Sequence, residues 1–73
     1  TKIHVNGDRI VGRYATDTEA AVAYNKAAEM LQAAGIPIRY ISNYIPELST
    51  QEYRKLYDHI MFETRFLKFI ASL

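Results

Sequence analysis

Gly12-Arg13-Tyr14-Ala15-Thr16-Asp17-Thr18-Glu19-Ala20-Ala21-Val22-Ala23-Tyr24-Asn25-Lys26-Ala27-Ala28 reads as the end of a strand, a helix cap and a helix with an alanine-rich face. Thr16-Asp17-Thr18-Glu19 has the capping-box pattern, in which the Thr16 side chain accepts from the N–H three residues on and Glu19 reaches back to Thr16. Asp17 and Glu19 also suit the positive end of a helix dipole. The helix is expected over about Asp17 to Ala34, with Gly35 as the left-handed residue that stops it. Ala20, Ala23, Tyr24, Ala27, Met30, Leu31 and Ala34 share one face at helical spacing. A face of small residues lets a helix lie close on a sheet.

Upstream, Lys2-Ile3-His4-Val5 alternates polar and apolar side chains, the period of a half-buried strand. Asn6-Gly7 comes next, a strong hairpin signal because both residues tolerate positive φ. Asp8 to Tyr14 is expected to return as the second strand. Ile3 and Val5 then face the core, and Lys2 and His4 the opposite side. Either Asp8 or Arg9 opens the second strand, and a slip of one residue exchanges the faces of Arg9 and Ile10. Two strands alone are marginal. The expectation is a further strand, upstream of Thr1 in a longer protein or from a second copy.

Downstream, Ile36 to Leu48 carries both prolines and reads as an extended return, with Ile36, Ile38, Ile41, Tyr44 and Ile45 over the open side of the core. Ser49 and Glu52 form a second capping box, and Leu48 with Tyr53 a hydrophobic staple. Tyr53, Leu56, Tyr57, Ile60, Thr64 and Leu67 lie on one face of the next helix, spanning 49–73. From Phe62 a second stripe starts on the other side: Phe62, Phe66, Phe69 and Leu73. One helix cannot hide both stripes against one small core, so its final turns either bend back or meet a partner. The fold class expected is α+β: an antiparallel hairpin packed on an alanine-rich helix, with a C-terminal amphipathic helix. Residues 1–48 form the first unit, and 49–73 belong to the same globule or to a dimer interface.

The chain has 73 residues, no cysteine and a formal net charge of +1. Apolar residues make up 49% of it, which fits a globular domain rather than a disordered one. Without cysteine there is no disulfide, and two histidines make a metal site implausible. No apolar run approaches the ~20 residues of a membrane span. Lys2 leads into alternation rather than into the apolar core of a signal peptide. Residues 1–13 carry Lys2, Arg9 and Arg13 against Asp8, so the positive end of the chain is the hairpin, and a histidine at position 4 adds charge in acid. No phosphate loop or nucleophile–base–acid arrangement is present. His59 and Glu63 fall one helical turn apart and read as a solvated pair. No catalysis, cofactor, metal, small-molecule substrate or membrane partner is expected.

Asn6-Gly7, Gly12-Arg13-Tyr14, Thr16, Glu19-Ala20-Ala21, Ala23-Tyr24-Asn25 and Ala27-Ala28 together resemble the Apetala-two/ethylene-response-factor type DNA-binding domain, in its bacterial or phage branch. Asn43-Tyr44-Ile45 is similar to the closing segment of that family. Leu48-Ser49, Glu52-Tyr53 and Tyr57 are similar to the segment beyond it in bacterial and phage members. The resemblance implies a three-stranded antiparallel sheet on one helix, its outer face in the major groove of double-stranded DNA. Such domains are often attached to His-Asn-His homing endonucleases or integrases, which implies a cytoplasmic, nucleoid-associated or phage-encoded parent protein. Carried to matching positions, it implies DNA contacts from Lys2, His4 and Asn6 on the first strand, and from Arg9 (or Ile10, by register) and Arg13 on the second. The competing expectation is a homodimerisation domain that has lost DNA contact, associating through Phe62, Phe66, Phe69 and Leu73. The two are compatible, because dimeric binders read paired half-sites.

Overall fold

A computed structural model of the chain describes residues 1–5, 7–36 and 45–73; Asn6 and residues 37–44, with Ile38, Ile41, Asn43 and Tyr44 of the expected return segment, lie outside them. The described residues form an α+β fold of one hairpin and three helices. Strands β1 (Lys2–His4) and β2 (Asp8–Ile10) pair antiparallel, with Lys2 opposite Ile10, Ile3 opposite Arg9 and His4 opposite Asp8. Gly7 sits in the turn at φ 101°, a conformation that glycine adopts without steric cost. Ile3, Val5 and Val11 are buried, and Lys2, His4, Asp8 and Ile10 are exposed. The register thus puts Ile10 on the outer face and Arg9 on the inner one.

The second strand is shorter than the expected span to Tyr14, and the reason is a change of partner. Val11 still donates its N–H to the Thr1 carbonyl at 2.8 Å, but the Thr1 amino group bonds Gly12 O at 2.9 Å. The Val11 carbonyl accepts instead from the N–H of Glu63 at 2.8 Å. The Tyr14 hydroxyl donates to the Met61 carbonyl at 2.8 Å. Partial burial of this phenol pushes its pKa above the ordinary tyrosine value. Residues 11–14 are thereby held by the chain near its other end.

Helix α1 (Asp17–Ala33) starts and stops where its sequence signals lie. Thr16 Oγ1 accepts from the Glu19 N–H at 3.1 Å, and the same hydroxyl donates to the Glu19 carboxylate at 3.2 Å. At the far end Gly35 has φ 87°; its N–H meets Gln32 O at 3.0 Å and the Ile36 N–H meets Leu31 O at 3.0 Å. That pair of bonds is a Schellman closure, which satisfies carbonyls the helix leaves open. Val22, Ala23, Asn25, Ala27, Ala28 and Leu31 are buried, a wider arc than the expected face. Ala20, Tyr24 and Met30 are only half-buried and Ala34 is exposed. The arc is wide because α1 is covered on two sides, by β1 and by α2 (Thr50–His59). Asn25, fully buried, donates from Nδ2 to the Tyr53 hydroxyl at 3.1 Å across that second contact.

Helix α2 opens with a complete capping box. The Glu52 N–H bonds Ser49 Oγ at 3.1 Å and the Ser49 N–H bonds Glu52 Oε1 at 3.2 Å. That backbone bond, with the Ser49 hydroxyl second, holds the Glu52 carboxyl below its ordinary pKa.

The expected single helix over 49–73 is two helices. It ends at His59; Ile60 turns to ψ 128°, and α3 runs from Thr64 to Ala71. Bending back is how the two apolar stripes are reconciled. Ile60, Phe62 and Phe66 enter the core, with the Phe62 and Phe66 rings edge-to-face at 5.1 Å. Thr64 and Leu67, placed on the first stripe by a continuous helix, are exposed. The same break separates His59 from Glu63, so the expected one-turn pair does not form on a common helix; His59 Nδ1 lies 2.7 Å from Lys55 O instead.

Lys26 fastens this corner. Its ammonium donates to Tyr57 O at 2.8 Å and Ile60 O at 3.3 Å, and stands 5.2 Å and 5.7 Å from the Tyr57 and Phe62 ring centres. A cation there satisfies carbonyls that the end of α2 leaves open and meets the negative end of its dipole. None of the described helices is long and apolar enough to cross a membrane.

Candidate nucleic-acid interface

The outer face of the hairpin carries Lys2 and His4 on β1 and Asp8 and Ile10 on β2, all exposed. Alternation along the strands produces this set, since the inner positions Ile3 and Val5 are taken by the core. His4 Nδ1 lies 3.3 Å from Asp8 Oδ1, directly across the ladder. This contact sets the imidazole against the one carboxylate among the described residues of the face. Lys2 stands opposite Ile10.

Of the expected DNA contacts, Lys2 and His4 come together on one exposed face. Asn6 is not among the described residues. Arg13 is exposed just beyond β2, and it lines a cleft with Ile10, Gly12, Met61, Phe62 and Glu63.

Arg9 takes the inward alternative of the open register, and Ile10 the outward one. Arg9 is half-buried on the inner side, its guanidinium 3.8 Å from the centre of the Phe69 ring, and Nε donates to Val5 O at 3.2 Å. The open register is therefore resolved with the charged side chain inward. A planar cation can cover an aromatic face while satisfying a turn carbonyl, which an isoleucine cannot do.

The residues expected at a dimer interface fall differently. Phe62 and Phe66 are interior, Phe69 is half-buried under Arg9, and only Leu73 is exposed. The cause is the break after His59, which turns this stripe onto the back of the sheet. An interface of all four would require α3 to leave the hairpin.

The fold adds residues that the sequence did not single out. Arg65 of α3 lines a cleft with Asp8, Arg9, Ile10 and Glu63. Met61 is 79% exposed and shares a cleft with Ile10 and Arg13. Both reach β2 only because the chain breaks at Ile60, at a place that no glycine or proline marks. The surroundings of the outer face are thus mixed: Lys2, Arg13 and Arg65 stand against Asp8 and Glu63. Among the described residues no group of three or more His, Cys, Asp or Glu side chains has the placement to hold a metal ion. The arrangement offers exposed cations and two exposed apolar side chains, Ile10 and Met61.

Comparison with protein-family models, curated proteins and solved structures finds no match.

Proposed function

We propose that this chain is a double-stranded DNA-binding module, the outer face of its hairpin entering the major groove. The observation that carries the reading is the register. It turns Lys2 and His4 outward together, beside the exposed Arg13, while α1 and α3 lie behind the hairpin. A two-stranded ribbon fits the major groove, where alternate side chains reach base edges and flanking cations meet phosphates. The residue pattern from Gly12 to Ala28 supports the same reading by its likeness to the Apetala-two/ethylene-response-factor type domain, and on that likeness the parent protein is a regulator, nuclease or integrase.

The test is a titration of labelled duplex DNA at about 50 and 200 mM salt. Two or three phosphate contacts give a loss of about 10- to 40-fold between these conditions, through counterion release. No binding at the lower salt, or binding indifferent to salt, overturns the reading.

A further inference from the structure

We propose that Ile10 is a specificity-determining contact, and that it selects a thymine methyl group in the major groove. The inference rests on the reading of the outer hairpin face as the DNA-binding surface. Ile10 is 41% exposed on that face and stands opposite Lys2. It projects between two clefts, one lined with Gly12, Arg13 and Met61 and the other with Asp8, Arg9 and Arg65, with Glu63 bordering both. The other three side chains of the face are polar, and two of them, His4 and Asp8, face each other at 3.3 Å. A branched apolar side chain at this place is pressed onto whatever the ribbon binds.

The chemistry of the groove leaves it one good partner. The edges of guanine, cytosine and adenine offer hydrogen-bond donors and acceptors there, and only thymine adds an apolar group, its C5 methyl. Against a cytosine amino group or a guanine carbonyl, Ile10 would strip water from a polar atom and return no hydrogen bond. Against a thymine methyl, both surfaces gain by leaving water. Lys2 across the ladder and Arg13 beyond the strand are placed to meet phosphates on either side, so that binding strength and base preference come from different side chains.

The experiment compares an alternating adenine–thymine duplex with an alternating adenine–deoxyuridine duplex of the same length, which removes only the methyl groups. The wild-type chain and Ile10→Ala are each titrated with both at low salt, and circular dichroism checks the fold of the variant. The wild-type chain is expected to bind the thymine duplex about fourfold more tightly, the factor corresponding to one buried methyl of about 0.8 kcal/mol. Ile10→Ala is expected to bind both duplexes equally. Salt-sensitive wild-type binding that ignores the methyl overturns the inference and leaves the DNA-binding reading standing. The same thymine preference in Ile10→Ala also overturns it, since the preference then arises elsewhere. Absence of binding to either duplex overturns both.

Discussion

The Tyr14 phenol occupies the space that a side chain on Gly12 would need. A Cβ at Gly12 would lie 2.5 Å from the Tyr14 oxygen and 2.9 Å from Cζ. The absence of that atom lets the ring fold back over the chain and deliver its hydroxyl to Met61 O. Gly12→Ala therefore displaces the ring and is expected to lower stability by about 1–3 kcal/mol, the usual range for overpacking. Tyr14→Ala relieves the clash, so in a double-mutant cycle by urea unfolding the combined loss should be smaller than the sum of the two. Strict additivity would show that the ring does not depend on Gly12.

Lys26→Met keeps the stem of the side chain and removes its charge. Tyr57 O and Ile60 O lose their charged donor, and the end of α2 loses its compensating cation. The expected loss is about 1–2 kcal/mol by denaturant unfolding. Amide exchange should quicken first at Ile60–Glu63. Unchanged stability would mean that the carbonyls find water at no cost.

Acid should loosen α2 from its first turn. The folded pKa of Glu52 is depressed, so its contribution is present above its ordinary value of 4.5 and is lost as pH falls through the lower folded value. Ser49→Ala removes the side-chain half of the capping box and should raise the Glu52 carboxyl pKa, a shift that an NMR titration reads directly. Tyr14 runs the other way. Its raised pKa means stability present below the unfolded value and lost as pH rises through the folded one. A carboxyl at position 52 that titrates identically in both chains would remove the acid-side prediction.

Arg9, Lys2 and Arg13 should separate into two kinds of cation. Arg9→Met takes a guanidinium from the face of Phe69 and is expected to cost about 1 kcal/mol of stability. Its effect on the salt slope of DNA binding should be small. Lys2→Met and Arg13→Met should leave stability within about 0.5 kcal/mol, as surface changes do, and each should lower the salt slope by about 1. A lowered slope for Arg9→Met, with none for the other two, would move the binding surface to the other side of the ribbon.

Much of this fold is written locally. Thr16, Gly35 and the Ser49–Glu52 pair mark helix ends because each supplies the hydrogen bond or the backbone angle that the end requires. The break between α2 and α3 has no such mark: Ile60-Met61-Phe62-Glu63 contains neither glycine nor proline. What ends the helix is the conflict of two apolar stripes, resolved by the Val11 carbonyl and the Tyr14 hydroxyl nearly fifty residues away. The hairpin register is hidden in the same way, because the inward place of Arg9 depends on Phe69 being behind it. Lys2, His4 and Arg13 could be nominated from alternation and charge. Arg65 and Met61 could not, since only the turned-back chain brings them to β2.

The bonds from Tyr14 to Met61 and from Val11 to Glu63 tie early residues to late ones. Their consequence is one of timing. The turn at Gly7 and the capped α1 can form from neighbours alone, but the strand end beyond Ile10 has no final partner until residue 63 has been made. Loop closure on that scale precedes the contacts that reward it, so these bonds are completed only when α3 docks, after contacts that neighbours make alone. On a ribosome, the surface that carries Lys2 and Ile10 would emerge before α3 and become rigid only after it.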